Sequence, residues 1–334
     1  MNRPSRQNPT VGRALPSLAL ATGALASLAA WNLYHARKAE RRNPPVGRFI
    51  EVDGVRLHYL EKGSGPAVVL LHGNTVALQD GLCSGLFDRL AERHRVIAFD
   101  RPGFGYSERP RDRLWTSQAQ ARLLHEALDK LSVEQPLVLG HSWGTLVALD
   151  LAMDFPADVR GLVLVSGYYY PSARLDVAIS APAAIPLLGD ALRYTVSPPT
   201  ARLLLKRTAQ AMFAPTPLPE DFFVAMPRDF LSRPLQIRSE AEDAAFMIPA
   251  AARLYKRYPE LAMPVAIFGG ADDKIVDVEA HSVRLHQDVP QSALNVIPGA
   301  GHMVHYEIAE QIEHAIRHMT RAGDGTQGRF AVAS

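Results

Sequence analysis

Short apolar runs alternate with amphipathic stretches along most of this chain. The runs at residues 67–71, 95–99, 137–139, 162–165, 265–268 and 294–297 are rich in Val, Ile and Leu, with no polar alternation. A strand covered on both faces needs that pattern, because neither face meets water. Helical patterns fill the gaps at 117–131, 145–155, 279–287 and 308–319. This alternation predicts an α/β fold, a mostly parallel sheet with helices on both faces. Upstream, 48–51 and 55–61 flank Asp53-Gly54, a tight-turn signal, so an antiparallel hairpin is expected at the leading edge.

The alternation breaks between Ser166 and Met263. Helix-compatible stretches at 183–192, 200–213, 222–231 and 241–254 lie there, punctuated by prolines from Pro171 to Pro219. An unstructured loop so long is unusual in a compact domain, so a small helical subdomain over the sheet edge is predicted. The expected division is a core at 48–166 and 263–322, an insertion at 167–262, a tail at 323–334, and an N-terminal segment with its linker at 1–47.

That N-terminal segment is a different kind of sequence. Residues 14–36 contain no Lys, Arg, Asp or Glu, and 14–34 is largely apolar. As a helix it would extend about 30 Å, the thickness of a bilayer core. Trp31 and Tyr34 suit an interface, with Arg37, Lys38, Arg41 and Arg42 beyond. The expectation is a single N-terminal helix anchoring the protein to a membrane. A cleaved signal peptide, leaving a secreted or periplasmic protein, is one alternative: Arg3, Arg6 and Arg13 would precede cleavage near Ala24-Leu25-Ala26. A surface-lying helix is the other.

Composition narrows the function. With 334 residues, 47% hydrophobic and 21% charged, the chain can bury a large core. A net charge of +2 and no basic face interleaved with aromatics give no reason to expect a nucleic-acid partner. Cys83 is the single cysteine, which excludes an intrachain disulfide, and no glycine-flanked turn presents it as a nucleophile.

The candidate chemistry begins at Gly140-His141-Ser142-Trp143-Gly144, between an apolar run and a helical stretch. A serine held on a sharp strand-to-helix turn is a nucleophile elbow, and side chains at either glycine would crowd that turn. In this arrangement an acid and a histidine follow the serine. Asp272 and Asp273 come after the run at 265–268, and His302 after the run at 294–297. All these groups therefore fall at the C-terminal edge of the sheet, where open α/β sheets place ligands. His302 is expected to take the proton from Ser142, and a following carboxylate to orient the imidazolium. Backbone N–H groups of Asn74 and Trp143 are expected to form the oxyanion hole. Tyr168 and the Asn74 amide are candidate substrate contacts, although Tyr168 reads more readily as an aromatic pocket wall. No metal site is expected: His305 lies one helical turn from His302 without a matching third ligand.

Taken together, His72-Gly73-Asn74, the stretch from Asp100 to Ser107, the Ser142 elbow, Gly270-Ala271-Asp272-Asp273 and Gly301-His302 resemble the α/β-hydrolase fold family over roughly residues 48–320. The resemblance favours Asp273 as the acid, implies no cofactor, and implies that the insertion is a lid supplying substrate contacts. His72-Gly73-Asn74 and Trp143 are similar to haloalkane dehalogenases and epoxide hydrolases, in which an aspartate replaces the serine. Ser142 instead favours acyl transfer, because a serine alkyl ether offers no carbonyl for water to attack. The function expected is a serine esterase-like hydrolase of a small, hydrophobic acyl substrate. Carbon–carbon bond hydrolases, lactonases, epoxide hydrolase or haloperoxidase-like enzymes, and a ligand-binding scaffold without catalysis are the alternatives.

Overall fold

The computed structural model describes residues 11–172 and 181–323. Eight strands form one sheet: β1 Arg48–Val52, β2 Val55–Lys62, β3 Ala67–Leu71, β4 Arg95–Phe99, β5 Leu137–His141, β6 Gly161–Val165, β7 Val265–Gly270 and β8 Ala293–Ile297. Their order is β1-β2-β4-β3-β5-β6-β7-β8. The first two pairings, β1 with β2 and β2 with β4, are antiparallel and the rest are parallel. Asp53 and Gly54 both adopt positive φ (47° and 70°), the left-handed turn that this dipeptide tolerates and that a two-residue hairpin requires.

Alternate residues of each central strand enter different cores. Val69, Leu71, Ile97 and Phe99 pack with helices α4 Ser117–Lys130 and α5 Gly144–Asp154 on one face. Val68, Leu70, Val96 and Ala98 pack on the other against α3 Leu86–Ala91 and α12 Ala309–Gly323. Both faces are thus dry, as the unalternating runs required. A short helix, α2 Gln79–Cys83, precedes α3.

The insertion is helical where it is described. It contains α6 Leu188–Tyr194, α7 Ser197–Phe213, α8 Phe222–Ala225, α9 Arg228–Leu231 and α10 Pro234–Leu254. After β7 a π-turn (Glu279–Val283) runs into α11 Arg284–Asp288. Residues 173–180 of the insertion, the tail from 324, and Arg3 and Arg6 lie outside the described residues.

The N-terminal expectation needs correction. Helix α1 runs from Val11 to Arg42, yet among the described residues no helix is long and apolar enough to cross a membrane. Neither the anchor nor the membrane partner and localisation drawn from it is supported. The second half of α1 shows why: it is a protein-facing surface laid on the insertion. Asn32 is fully buried and its Nδ2 donates to the Tyr194 and Thr195 carbonyls (3.0 and 2.6 Å). Ala36 and Ala39 are buried, and Glu40 pairs with Arg233 at 3.0 Å. A polar side chain and a carboxylate facing protein partners do not suit a hydrocarbon environment.

Candidate active site

The elbow follows from sterics. A Cβ on Gly140 would lie 2.7 Å from the Gly144 carbonyl oxygen and the Thr145 Cα, and one on Gly144 would lie 2.3 Å from the Leu71 oxygen. Only glycine lets β5 enter α5 so tightly against β3. Ser142 at the apex is held at φ 52°, a left-handed conformation costly for a residue with a Cβ. Its backbone N–H donates to Val165 (2.9 Å), and its carbonyl accepts from the Thr145 hydroxyl (2.6 Å). Those bonds over-determine the turn and aim Oγ out of the strand end.

The sheet edge brings three side chains together. His302 Nε2 lies 2.9 Å from Ser142 Oγ, and its Nδ1 lies 2.7 Å from Asp273 Oδ2. The other carboxylate oxygen of Asp273 accepts backbone N–H bonds from Ile275 and Val276 (2.7 and 3.0 Å). Asp272 points elsewhere and accepts from the Gly299 N–H at 3.1 Å. With Asp273 accepting at Nδ1–H, the lone pair of Nε2 is left to face the serine hydroxyl.

The loop from His72 to Asn74 is fastened by Arg101, which is fully buried. Arg101 Nε donates to the His72 carbonyl (2.8 Å), and Nη2 to the Gly73 carbonyl (3.1 Å) and to Asn74 Oδ1 (2.7 Å). The Asn74 oxygen is therefore engaged by the protein. His72 accepts the Arg101 backbone N–H at Nε2 (3.0 Å) and meets the Gly73 carbonyl through Nδ1 (2.6 Å), so the ring is neutral with its proton on Nδ1. Burial, reinforced by the Arg101 charge, pushes its pKa down to about 4. Arg101 in turn pairs with Asp243 of α10 at 2.6 Å, also fully buried, which Arg109 reaches as well (2.9 Å). Trp143 donates its Nε1–H to the Asp243 carbonyl (2.9 Å), and the Arg101 guanidinium stacks on its ring at 4.5 Å. The insertion is thus bolted to both the elbow and the loop carrying Asn74. Trp143 is the N-cap of α5, and the N–H groups of a helix's first turn have no intrahelical acceptor.

Tyr168 lies buried beside this edge, with its hydroxyl donating to the Ser172 carbonyl (3.0 Å) and accepting the Ser172 N–H (2.7 Å). Its phenol is engaged by its own loop. Ile185, Leu187 and Leu188 of the insertion are exposed. Cys83, half-buried, has its thiol pushed up to about 12 by burial and by the charges of Asp80 and Asp221, which keeps it protonated.

Sequence reasoning missed Asp80, His141 and His305 as a group. Their donor atoms lie within 4.8 Å of one another, and among the described residues this is the cluster able to hold a metal ion. Asp80 meets His305 Nε2 at 3.1 Å and the Tyr306 hydroxyl at 2.9 Å. Burial works against the Asp80 charge, but His305 and its hydrogen bond bring the pKa down to about 2. His141 Nε2 lies 3.2 Å from the His302 carbonyl, with burial holding the ring well below the usual histidine range and therefore neutral. The group accordingly braces the His302 loop from beneath. No sequence signal connects it, since its members come from α2, the end of β5 and the turn before α12.

The model of the alpha/beta hydrolase fold family matches residues 66–308, and the chain belongs to that family. It is a hydrolase. It is 30% identical over 306 residues to 2-hydroxymuconate semialdehyde hydrolase of Pseudomonas putida, covering 86% of this chain and 98% of that protein. It is 26% identical over 282 residues to haloalkane dehalogenase 2 of Mycobacterium bovis, covering 82% and 94%. Among solved structures, a meta-cleavage product hydrolase from Pseudomonas fluorescens superposes with a TM-score of 0.66 at 21% identity, covering 84% and 100%.

Proposed function

We propose that this hydrolase cleaves a carboxylic ester or related acyl compound through an acyl-enzyme on Ser142. The observation that carries the reading is His302, which spans Asp273 and the Ser142 hydroxyl at 2.7 and 2.9 Å. His302 takes the serine proton as Oγ attacks the carbonyl, and Asp273 stabilises the imidazolium. The Asn74 and Trp143 N–H groups meet the developing oxyanion. His302 then protonates the leaving alkoxide. Water, deprotonated by the same ring, attacks the acyl carbonyl and frees Ser142. A dehalogenase step is disfavoured by the serine itself, because the alkyl ether it would form could not be hydrolysed this way.

Carbon–carbon bond hydrolysis is the second reading, favoured by 30% identity over nearly the whole of a 2-hydroxymuconate semialdehyde hydrolase. The same groups would serve, with a carbanion as the leaving group in need of a proton. A fluorophosphonate probe is expected to label wild-type protein and not Ser142→Ala. Turnover is then compared on p-nitrophenyl esters of increasing chain length and on a ring-cleavage semialdehyde. Labelling that persists in the alanine variant removes the Ser142 assignment. Turnover of the semialdehyde alone selects the second reading, and turnover of nothing favours a binding scaffold.

A further inference from the structure

Beside the Asn74 loop lies a cavity of about 570 Å³. Asn74 and Thr75 form one wall, and residues of α7 and α10 such as Leu204, Ile237 and Ala244 form much of the rest. Among the described residues lining it, one side chain is ionisable: Glu240. This carboxyl accepts from Gln236 Nε2 (3.2 Å) and is held by the backbone N–H of Thr75, next to the proposed oxyanion donor. The Arg101 charge acts on it, but Asp243 already engages Arg101 at 2.6 Å, and Asp243 adds a like charge. Burial and Asp243, opposed by Gln236, Arg101 and Thr75, leave the Glu240 carboxyl raised to about 7. It is therefore mostly ionised in mildly alkaline solution and mostly neutral at pH 6.

Resting on the acyl-transfer reading, we propose that this cavity is the acyl-binding subsite and that Glu240 sets its specificity. It admits neutral acyl chains, or chains carrying a hydroxyl or ammonium donor, and rejects acyl groups that end in a carboxylate. A second carboxylate beside Glu240, against walls that are mostly apolar, meets a like charge that the solvent at the cavity mouth screens only in part. The apolar walls offer an anionic substrate no compensating cation.

The test compares kcat/KM for p-nitrophenyl pentanoate and p-nitrophenyl succinate, a neutral and an anionic ester of similar length. The preference of wild-type protein for the neutral ester at pH 8.5 is expected to fall by about tenfold in Glu240→Gln. It should fall similarly in wild type at pH 6, where the succinate is still charged and Glu240 is not. Any change in His302 protonation acts on both esters and cancels from the ratio. A ratio unchanged in both arms overturns the proposal. If neither ester turned over, the esterase reading would fail, while calorimetry with pentanol and pentanoate would still decide the role of Glu240. Tighter pentanoate binding to Glu240→Gln with pentanol unaffected upholds it; equal affinities for both proteins overturn it.

Discussion

Asp272 and Asp273 are adjacent in the chain, yet their carboxylates answer to different neighbours. Asp273 reaches His302 at 2.7 Å, whereas Asp272 ties the Gly299 N–H at 3.1 Å and so closes the loop that carries His302. The sequence alone could not separate them, because rotation about one backbone bond decides which side chain faces the ring; the choice of Asp273 came from family resemblance. Asp273→Asn is expected to lower kcat on a p-nitrophenyl ester by about 10³- to 10⁴-fold, since an amide can impose the wrong tautomer on His302. Asp272→Asn keeps an oxygen acceptor for Gly299 and should cost less than about tenfold. Steady-state kinetics on the two variants check this, and equal losses would reassign the acid. Asp80 was out of reach for another reason. Its partners, His305 and His141, stand 225 and 61 residues away, and only the folded sheet makes them neighbours.

Among the elements, strands were the most legible, because burial on both faces leaves a run of apolar residues that nothing else explains. Helices of the insertion were less so. The stretch at 222–231 reads as one helix but forms two, α8 and α9, separated at Pro227, which lacks the N–H a continuous helix needs. Helix α10 begins at Pro234, seven residues before the expected 241, because its early turns bury Gln236, Arg238 and Ser239 in polar networks and so hide the apolar period. For α1, apolar composition outweighed Asn32 in the reading, although Asn32 fixes where the helix docks. Asn32→Ala leaves the Tyr194 and Thr195 carbonyls without that donor, a loss of about 1–3 kcal/mol. Hydrogen exchange should quicken in 188–213 and stay unchanged in β3, β5 and β6. Uniform acceleration through the sheet would mean that α1 supports the whole fold rather than the insertion.

At the scale of the molecule, the sequence pattern carried the sheet, its edges and the placing of Ser142, the Asp272-Asp273 pair and His302 just past strand ends, because each follows from position along a strand. The charges beneath and above that edge were not legible, as they depend on which distant groups burial brings together. These buried groups pull stability in opposite directions with pH. His72, depressed to about 4, resists protonation in the folded state, so its contribution is complete above about pH 6.5 and is lost as pH falls towards 4. Glu240, raised to about 7, works the other way: the folded state prefers the neutral acid, so its ionisation penalises folding above pH 7 and the penalty disappears as pH falls through the unfolded value near 4.5. The two terms offset each other between those values, which makes wild-type protein alone a poor readout. Glu240→Gln removes one term while keeping an oxygen acceptor for Thr75. The variant is expected to be more stable than wild type by about 3 kcal/mol at pH 8.5, the difference shrinking towards zero by pH 4.5. Urea unfolding of both proteins across that range measures it. A difference that stayed constant with pH would show that Glu240 titrates alike in the folded and unfolded chains, and its carboxyl would then not be the buried charge that the cavity wall makes it.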